Sequence, residues 1–179
     1  MTLPETPPTP GPLFATRLGA DTADATSVIL LHGFLGSGRN LRTLGLRLAE
    51  RVPAARLLLP DLRGHGQSPG WAGLGDPSQV TLASLGADVL ATAAAHGFAP
   101  PYHFIGQSLG GRVALAAAGQ AAAQSARVTL LDIGPGRIDP ARSDSRPVLD
   151  ALLAAPAEAP DRRAMRTALV AGGLSPALS

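Results

Sequence analysis

The sequence has no cysteine, which excludes disulfide bridges and thiolate metal sites. It has no lysine either. Its 15 cationic residues are all arginine, scattered among 13 acids for a net charge of +2, a compositional bias that gives no clustered basic face for nucleic acid. The four histidines, His32, His65, His96 and His103, are too dispersed to make a metal-ligand cluster, and neither a metal nor a cofactor is expected. No apolar run reaches the length of a transmembrane helix. Residues 1–12 have four prolines among their first ten, with neither a basic nor an apolar leader segment. They read as a flexible tail, and a cytoplasmic location is the expectation.

What remains is a chain of 179 residues, 45% hydrophobic, enough for one domain with a real core. Leu13 to Leu18 reads as a first strand. Ser27 to Leu31 and Ala55 to Leu59 are continuous apolar runs, the pattern of strands covered on both faces. Asn40 is expected to cap a helix to about Arg51, with Leu41, Leu44, Leu48 and Val52 as its apolar side. A long Gly- and Pro-rich segment runs from Asp61 to Ser78, and a helix from about Val80 to Ala95 ends at His96 with Gly97 as its C-terminal cap. Arg127 to Leu131 makes a further strand and delivers Asp132 at its end. Beyond Pro140, Val148 to Ala155 and Asp161 to Ala171 read as two short helices.

Strands alternating with helices predict an α/β fold, a parallel sheet flanked by helices, with ligands held at the carboxyl ends of the strands. His32, Asp61, Ser108 and Asp132 each follow such an end. Ser108 lies in Gly106-Gln107-Ser108-Leu109-Gly110, between an apolar run ending at Ile105 and an Ala-rich helical run from Arg112. A serine on a strained strand-to-helix turn needs small residues two before and two after it, and Gly106 and Gly110 supply them. By composition alone the bare motif would arise in roughly one chain in seven of this length, so its flanks carry the weight.

Three motifs in order, His32-Gly33 with its glycine-rich loop, Asp61-Leu62-Arg63-Gly64-His65-Gly66-Gln67-Ser68, and the Ser108 segment, resemble the α/β-hydrolase superfamily over residues 27–139. Gly36 to Leu41 and Leu131-Asp132-Ile133-Gly134-Pro135 resemble, more narrowly, the small bacterial YbfF-type acyl esterases. The resemblance implies Ser108 as nucleophile on an acyl carbonyl, with the backbone N–H groups of Phe34 and Leu109 holding the oxyanion. It implies Asp132 as the catalytic acid, the alternative being an aspartate that caps its own turn. His32, Gly33, Gly106, Gly110, Asp61 and His65 are then motif and support residues. Asp61 would fix its loop through nearby backbone or Arg63, and His65 would hold the same loop by a side-chain hydrogen bond. His96 reads as a helix-end residue and His103 as a partly buried strand residue.

The resemblance fails at the histidine base, which the superfamily carries late in the chain, beyond any position present here. Two readings follow. One is a serine esterase or thioesterase acting on a small-molecule acyl ester, with residues 13–139 as a partial hydrolase core and 140–179 as the start of a helical cap. The other is a catalytically incomplete, truncated hydrolase-like module that at most binds acyl ligands. Dehalogenase and epoxide hydrolase relatives use aspartate where Ser108 stands. Arg137, Arg142 and Arg146 could meet an anionic substrate or be merely solvated. The strand ending at Leu131 is expected to be an open sheet edge that favours self-association.

Overall fold

The computed structural model describes residues 12–22, 24–69, 80–136 and 145–175. Most of the expected tail, the far half of the long loop, and Arg137 and Arg142 lie outside the described residues. The chain groups into two compact units, Met1–Pro135 and Gly136–Ser179.

The first unit is built on a five-stranded sheet of β1 (Ala15–Gly19), β2 (Thr26–Leu31), β3 (Ala55–Pro60), β4 (Tyr102–Gln107) and β5 (Ser125–Leu131), in the order β1-β3-β2-β4-β5. Four of its strands are parallel, as expected of apolar runs joined by helical crossovers. The first strand corrects that expectation, because β1 runs antiparallel to β3, with Ala15 opposite Pro60 and Gly19 opposite Arg56. It enters along the outer edge, where a short connection permits reversal.

Alternation along the strands divides the apolar side chains into two cores. Ile29, Leu31, Leu58, Tyr102 and Phe104 pack on one face with α2 (Leu82–Ala95) and α3 (Leu109–Gln120), whose Leu85, Val89, Val113, Ala114 and Ala117 they meet. Val28, Leu30, Leu57 and Leu59 pack on the other face, where Leu48 and Ala49 of α1 (Arg42–Arg51) cover them.

The entry to α1 differs from the sequence reading. Ser37 opens a 3-10 turn over Gly38–Leu41, and Asn40 serves it by accepting the Ser37 N–H through its Oδ1 at 2.8 Å, ahead of the α-helix and not as its cap. Leu41 and Gly45 face the sheet, whereas Leu44 and Val52, expected inside, are exposed. α2 starts two residues later than expected, at a reciprocal cap in which Thr81 and Ser84 exchange side-chain-to-backbone bonds of 2.9 and 3.1 Å. Its end is as the sequence indicates, with His96 as C-cap and Gly97 at φ 73°.

The second unit contains α4 (Ser145–Ala154) and α5 (Arg162–Ala171), the latter capped by Asp161, whose Oδ1 accepts the Ala164 N–H at 2.8 Å. Arg146 lies in α4. Among the described residues no helix is long and apolar enough to cross a membrane.

Candidate active site

β4 runs out at Gln107, α3 begins at Leu109, and Ser108 alone makes the turn between them, at φ 49° and ψ −114°. An L-residue adopts that backbone only when its surroundings hold it there. The glycines show what holds it. A Cβ on Gly106 would stand 2.3 Å from the carbonyl oxygen of Gly110, and one on Gly110 would stand 2.2 Å from that of Leu31, so strand and helix are in backbone contact across the turn. The Ser108 N–H donates to the Leu131 carbonyl at 3.0 Å and anchors the turn to β5.

The segment after β2 comes against this elbow. A Cβ placed on Gly33 would lie 3.5 Å from that of Ser108. Gly33 to Gly36 is a tight turn closed by the Gly36 N–H on the Gly33 carbonyl at 3.1 Å, with Leu35 at φ 60°. Among the described residues, no acceptor engages the N–H of Phe34, within this turn, or of Leu109, the first residue of α3. Leu35, Ser108 and Asp132 (φ 57°) are the non-glycine residues with left-handed backbone among those described. They follow the carboxyl ends of β2, β4 and β5, so backbone strain is concentrated on one rim of the sheet. Asp132 is exposed there, one residue past Leu131, which pairs with Gln107.

The support residues form a second layer. His32 is fully buried, and its Nε2 accepts the Leu62 N–H at 2.9 Å. That bond assigns the proton to Nδ1, which donates to the Gly33 carbonyl at 2.8 Å. Burial holds its pKa below the ordinary histidine value. Repulsion from His65, whose ring centre is 5.2 Å away, acts in the same direction, while the Gly33 bond and Asp61 oppose it. Asp61 is buried and splits its carboxylate, Oδ1 accepting from Gly38 N–H at 2.7 Å and Oδ2 from Gln67 N–H at 2.8 Å. Its partners are thus backbone and not Arg63. His65 Nδ1 is 3.0 Å from the Arg63 carbonyl, and its ring meets that of Phe34 edge-on at 5.9 Å.

Arg63 pairs elsewhere, in a contact the sequence reading missed. Its Nε donates to Asp88 Oδ2 at 2.6 Å and a second guanidinium nitrogen to Oδ1, both side chains being buried. That pairing raises the arginine's pKa. An acid on the apolar side of α2, between Leu85 and Thr92, was the available signal that a buried cation must lie opposite. Ser68 was missed as well. Its hydroxyl donates to the Asp61 carbonyl at 2.5 Å and accepts the Phe14 N–H at 3.0 Å.

The two remaining histidines are remote from the elbow. His96 closes α2 before β4 enters the sheet, on the opposite rim, and His103 is the second residue of β4, five before Ser108. Among the described residues no group of His, Asp and Glu could hold a metal ion.

A mostly parallel sheet with a serine on a left-handed strand-to-helix turn at its carboxyl rim is the fold of the hydrolase type. Residues 26–164 match the model of the alpha/beta hydrolase fold family, and the chain belongs to that family. Among curated proteins it is 29% identical over 131 residues to mouse "sn-1-specific diacylglycerol lipase ABHD11", covering 70% of this chain and 38% of that protein. It is 35% identical over 131 residues to "Lipase LipV" of Mycobacterium tuberculosis, covering 72% and 44%. The chain thus spans about two-fifths of the length of these relatives. Among solved structures, a marine microorganism esterase matches at TM-score 0.71 and 26% identity, over 89% of this chain and 58% of the other. The epoxide hydrolase CorEH matches at TM-score 0.57 and 27% identity, over 78% and 44%.

Proposed function

We propose that Ser108 is the nucleophile of a serine hydrolase that cleaves small-molecule carboxylic esters or thioesters through an acyl-enzyme. The observation that carries this reading is the backbone of Ser108 at φ 49°, with Leu109 opening a helix directly behind it. Attack of Oγ on the acyl carbonyl forms the new C–O bond and passes the hydroxyl proton to a base. The carbonyl oxygen gains the charge, the alcohol or thiol leaves with a proton, and water later releases the acid. The N–H groups of Phe34 and Leu109 receive the oxyanion, aided by the positive end of α3. Asp132, one residue past the end of β5, orients the base.

Lipase and esterase relatives support the ester class. The epoxide hydrolase neighbour does not extend its chemistry here, because that chemistry uses an aspartate nucleophile and this chain has serine.

His32 has both ring nitrogens on backbone partners, His65 has Nδ1 on Arg63, and His96 and His103 stand away from Ser108. We therefore propose that the 179-residue chain alone turns over esters only residually, since loss of a triad member typically costs several orders of magnitude in rate. The test is p-nitrophenyl ester hydrolysis by purified chain together with fluorophosphonate labelling of a catalytically competent form. Fast hydrolysis lost in Ser108→Ala would overturn the residual-activity reading alone. Labelling at a residue other than Ser108 would overturn the nucleophile.

A further inference from the structure

We propose that His32 is an acid-operated latch on the turn that follows β2: neutral, it holds the Gly33–Phe34 peptide in place, and once protonated its ring leaves the Leu62 N–H and frees that peptide. Bonds on both sides of one fully buried ring set the latch. On one side Nδ1 donates to the Gly33 carbonyl at 2.8 Å, and the same oxygen accepts the Gly36 N–H at 3.1 Å. The Gly33–Phe34 peptide is trans and planar, so its carbonyl and the Phe34 N–H point in opposite directions. Whatever fixes the Gly33 oxygen therefore aims the Phe34 N–H. The value of that aim for holding an oxyanion rests on the esterase reading above, whereas the latch itself does not.

On the other side Nε2 accepts the Leu62 N–H at 2.9 Å. A proton on Nε2 turns this acceptor into a second donor, and two N–H groups then face each other with nothing to receive them. Either Leu62 or the ring must move. Leu62 is fully buried between two tethered neighbours, Asp61 held by the N–H groups of Gly38 and Gln67, and Arg63 by Asp88 of α2. The turn on the other side of the ring is open to water, with Phe34 54% and Leu35 64% exposed. The ring is thus the part that yields, toward solvent that stabilises its charge. It does not move alone, because a Cβ on Gly36 would already stand 3.2 Å from Nδ1. The charged groups that face His32 come from the loop after β3: His65, its ring centre 5.2 Å away, repels a second cation, Asp61 attracts it, and Arg63 turns away to Asp88.

Latched, the buried ring resists a proton; released, it takes one up near the ordinary histidine value of about 6.5. Below that value only the open form gains the proton, so opening is favoured about tenfold per pH unit until the latched ring itself titrates. Hydrogen exchange of the whole chain, read by NMR from about pH 5 to 7.5 and corrected for intrinsic rates, tests this. Protection of the Leu62 and Gly36 amides should fall about tenfold per pH unit on acidification below about 6.5. At each pH it should stand at least about tenfold below that of Leu30 and Phe104 inside the sheet, the mark of a local opening. The imidazole nitrogen signals should show the Nδ1–H tautomer at the neutral end. His32→Gln and His32→Phe, which do not titrate, should make Leu62 protection independent of pH. Exchange, not turnover, reports the latch, so its failure leaves the esterase reading standing and a failed Ser108 assignment leaves the latch standing. An Nε2–H tautomer, pH-independent protection at Leu62 in the parent chain, exchange of Leu62 and Gly36 only together with the sheet amides, or a fall that persists in either variant would each overturn the proposal.

Discussion

The backbone N–H of Ser108 donates to the carbonyl of Leu131 at 3.0 Å, continuing the β4–β5 ladder one step past its last paired residues, Gln107 and Leu131. The placement of Asp132 relative to the elbow is thereby fixed by sheet register and not by loop conformation. A catalytic acid has to orient its base within a fraction of an ångström, and a strand end can supply that rigidity.

If Asp132 is the acid, Asp132→Asn in a catalytically competent form should lower turnover by about 10³–10⁴-fold. Its side chain is exposed, so the urea unfolding free energy should move by no more than about 0.5 kcal/mol. Near-normal turnover in steady-state kinetics would reassign the acid.

Two glycines of one helix should respond with opposite signs. Gly110→Ala drives a Cβ against the carbonyl oxygens of Leu31 and His32, at 2.2 and 2.5 Å, which a packed central strand cannot yield. Chemical denaturation should register a loss of at least about 2 kcal/mol. Gly119, with nothing within 4 Å of its Cβ position, should gain about 0.5–1 kcal/mol as alanine.

The Arg63–Asp88 pair ties the loop after β3 to α2. Asp88→Asn or Arg63→Met leaves a buried group without its counter-charge and should cost about 3–5 kcal/mol. Arg63→Met combined with Asp88→Leu should recover part of that loss. A double-mutant cycle by urea unfolding that found strict additivity would refute the coupling.

His32 makes stability pH-dependent in a defined direction. Its folded pKa lies below the unfolded value of about 6.5, so on acidification the unfolded chain takes up a proton first. The stabilisation is complete above about pH 6.5 and is lost as pH falls from there through the folded pKa, at a slope of up to about 1.4 kcal/mol per pH unit. His32→Gln should flatten that part of the profile in unfolding experiments between pH 5 and 8. An unchanged slope would mean that the ring accepts its proton while buried.

The apolar runs of β2 and β3 and the Gly106–Gly110 frame around Ser108 could be read directly, because backbone sterics and two-sided burial act on a few adjacent residues. The burial pattern of α1 was less accessible. The helix approaches the sheet so closely that a Cβ on Gly45 would stand 2.9 Å from a Leu18 methyl, and the contact falls on a glycine while larger Leu44 and Val52 point outward. No count of apolar spacing contains that distance. The turn at Leu35 was equally hidden, since leucine at φ 60° runs against local preference and is held by its neighbours.

By itself the sequence determined which segments become strands, the elbow and its glycines, and the order in which polar residues leave the strand ends. Those are local consequences of periodicity and allowed dihedral angles. Tertiary structure alone decided that β1 runs antiparallel, that Arg63 pairs with Asp88 across 25 positions, and that Asp61 divides its carboxylate between Gly38 and Gln67. Each of these joins groups distant in the chain, where a buried polar atom takes whichever partner the packed backbones bring within about 3 Å.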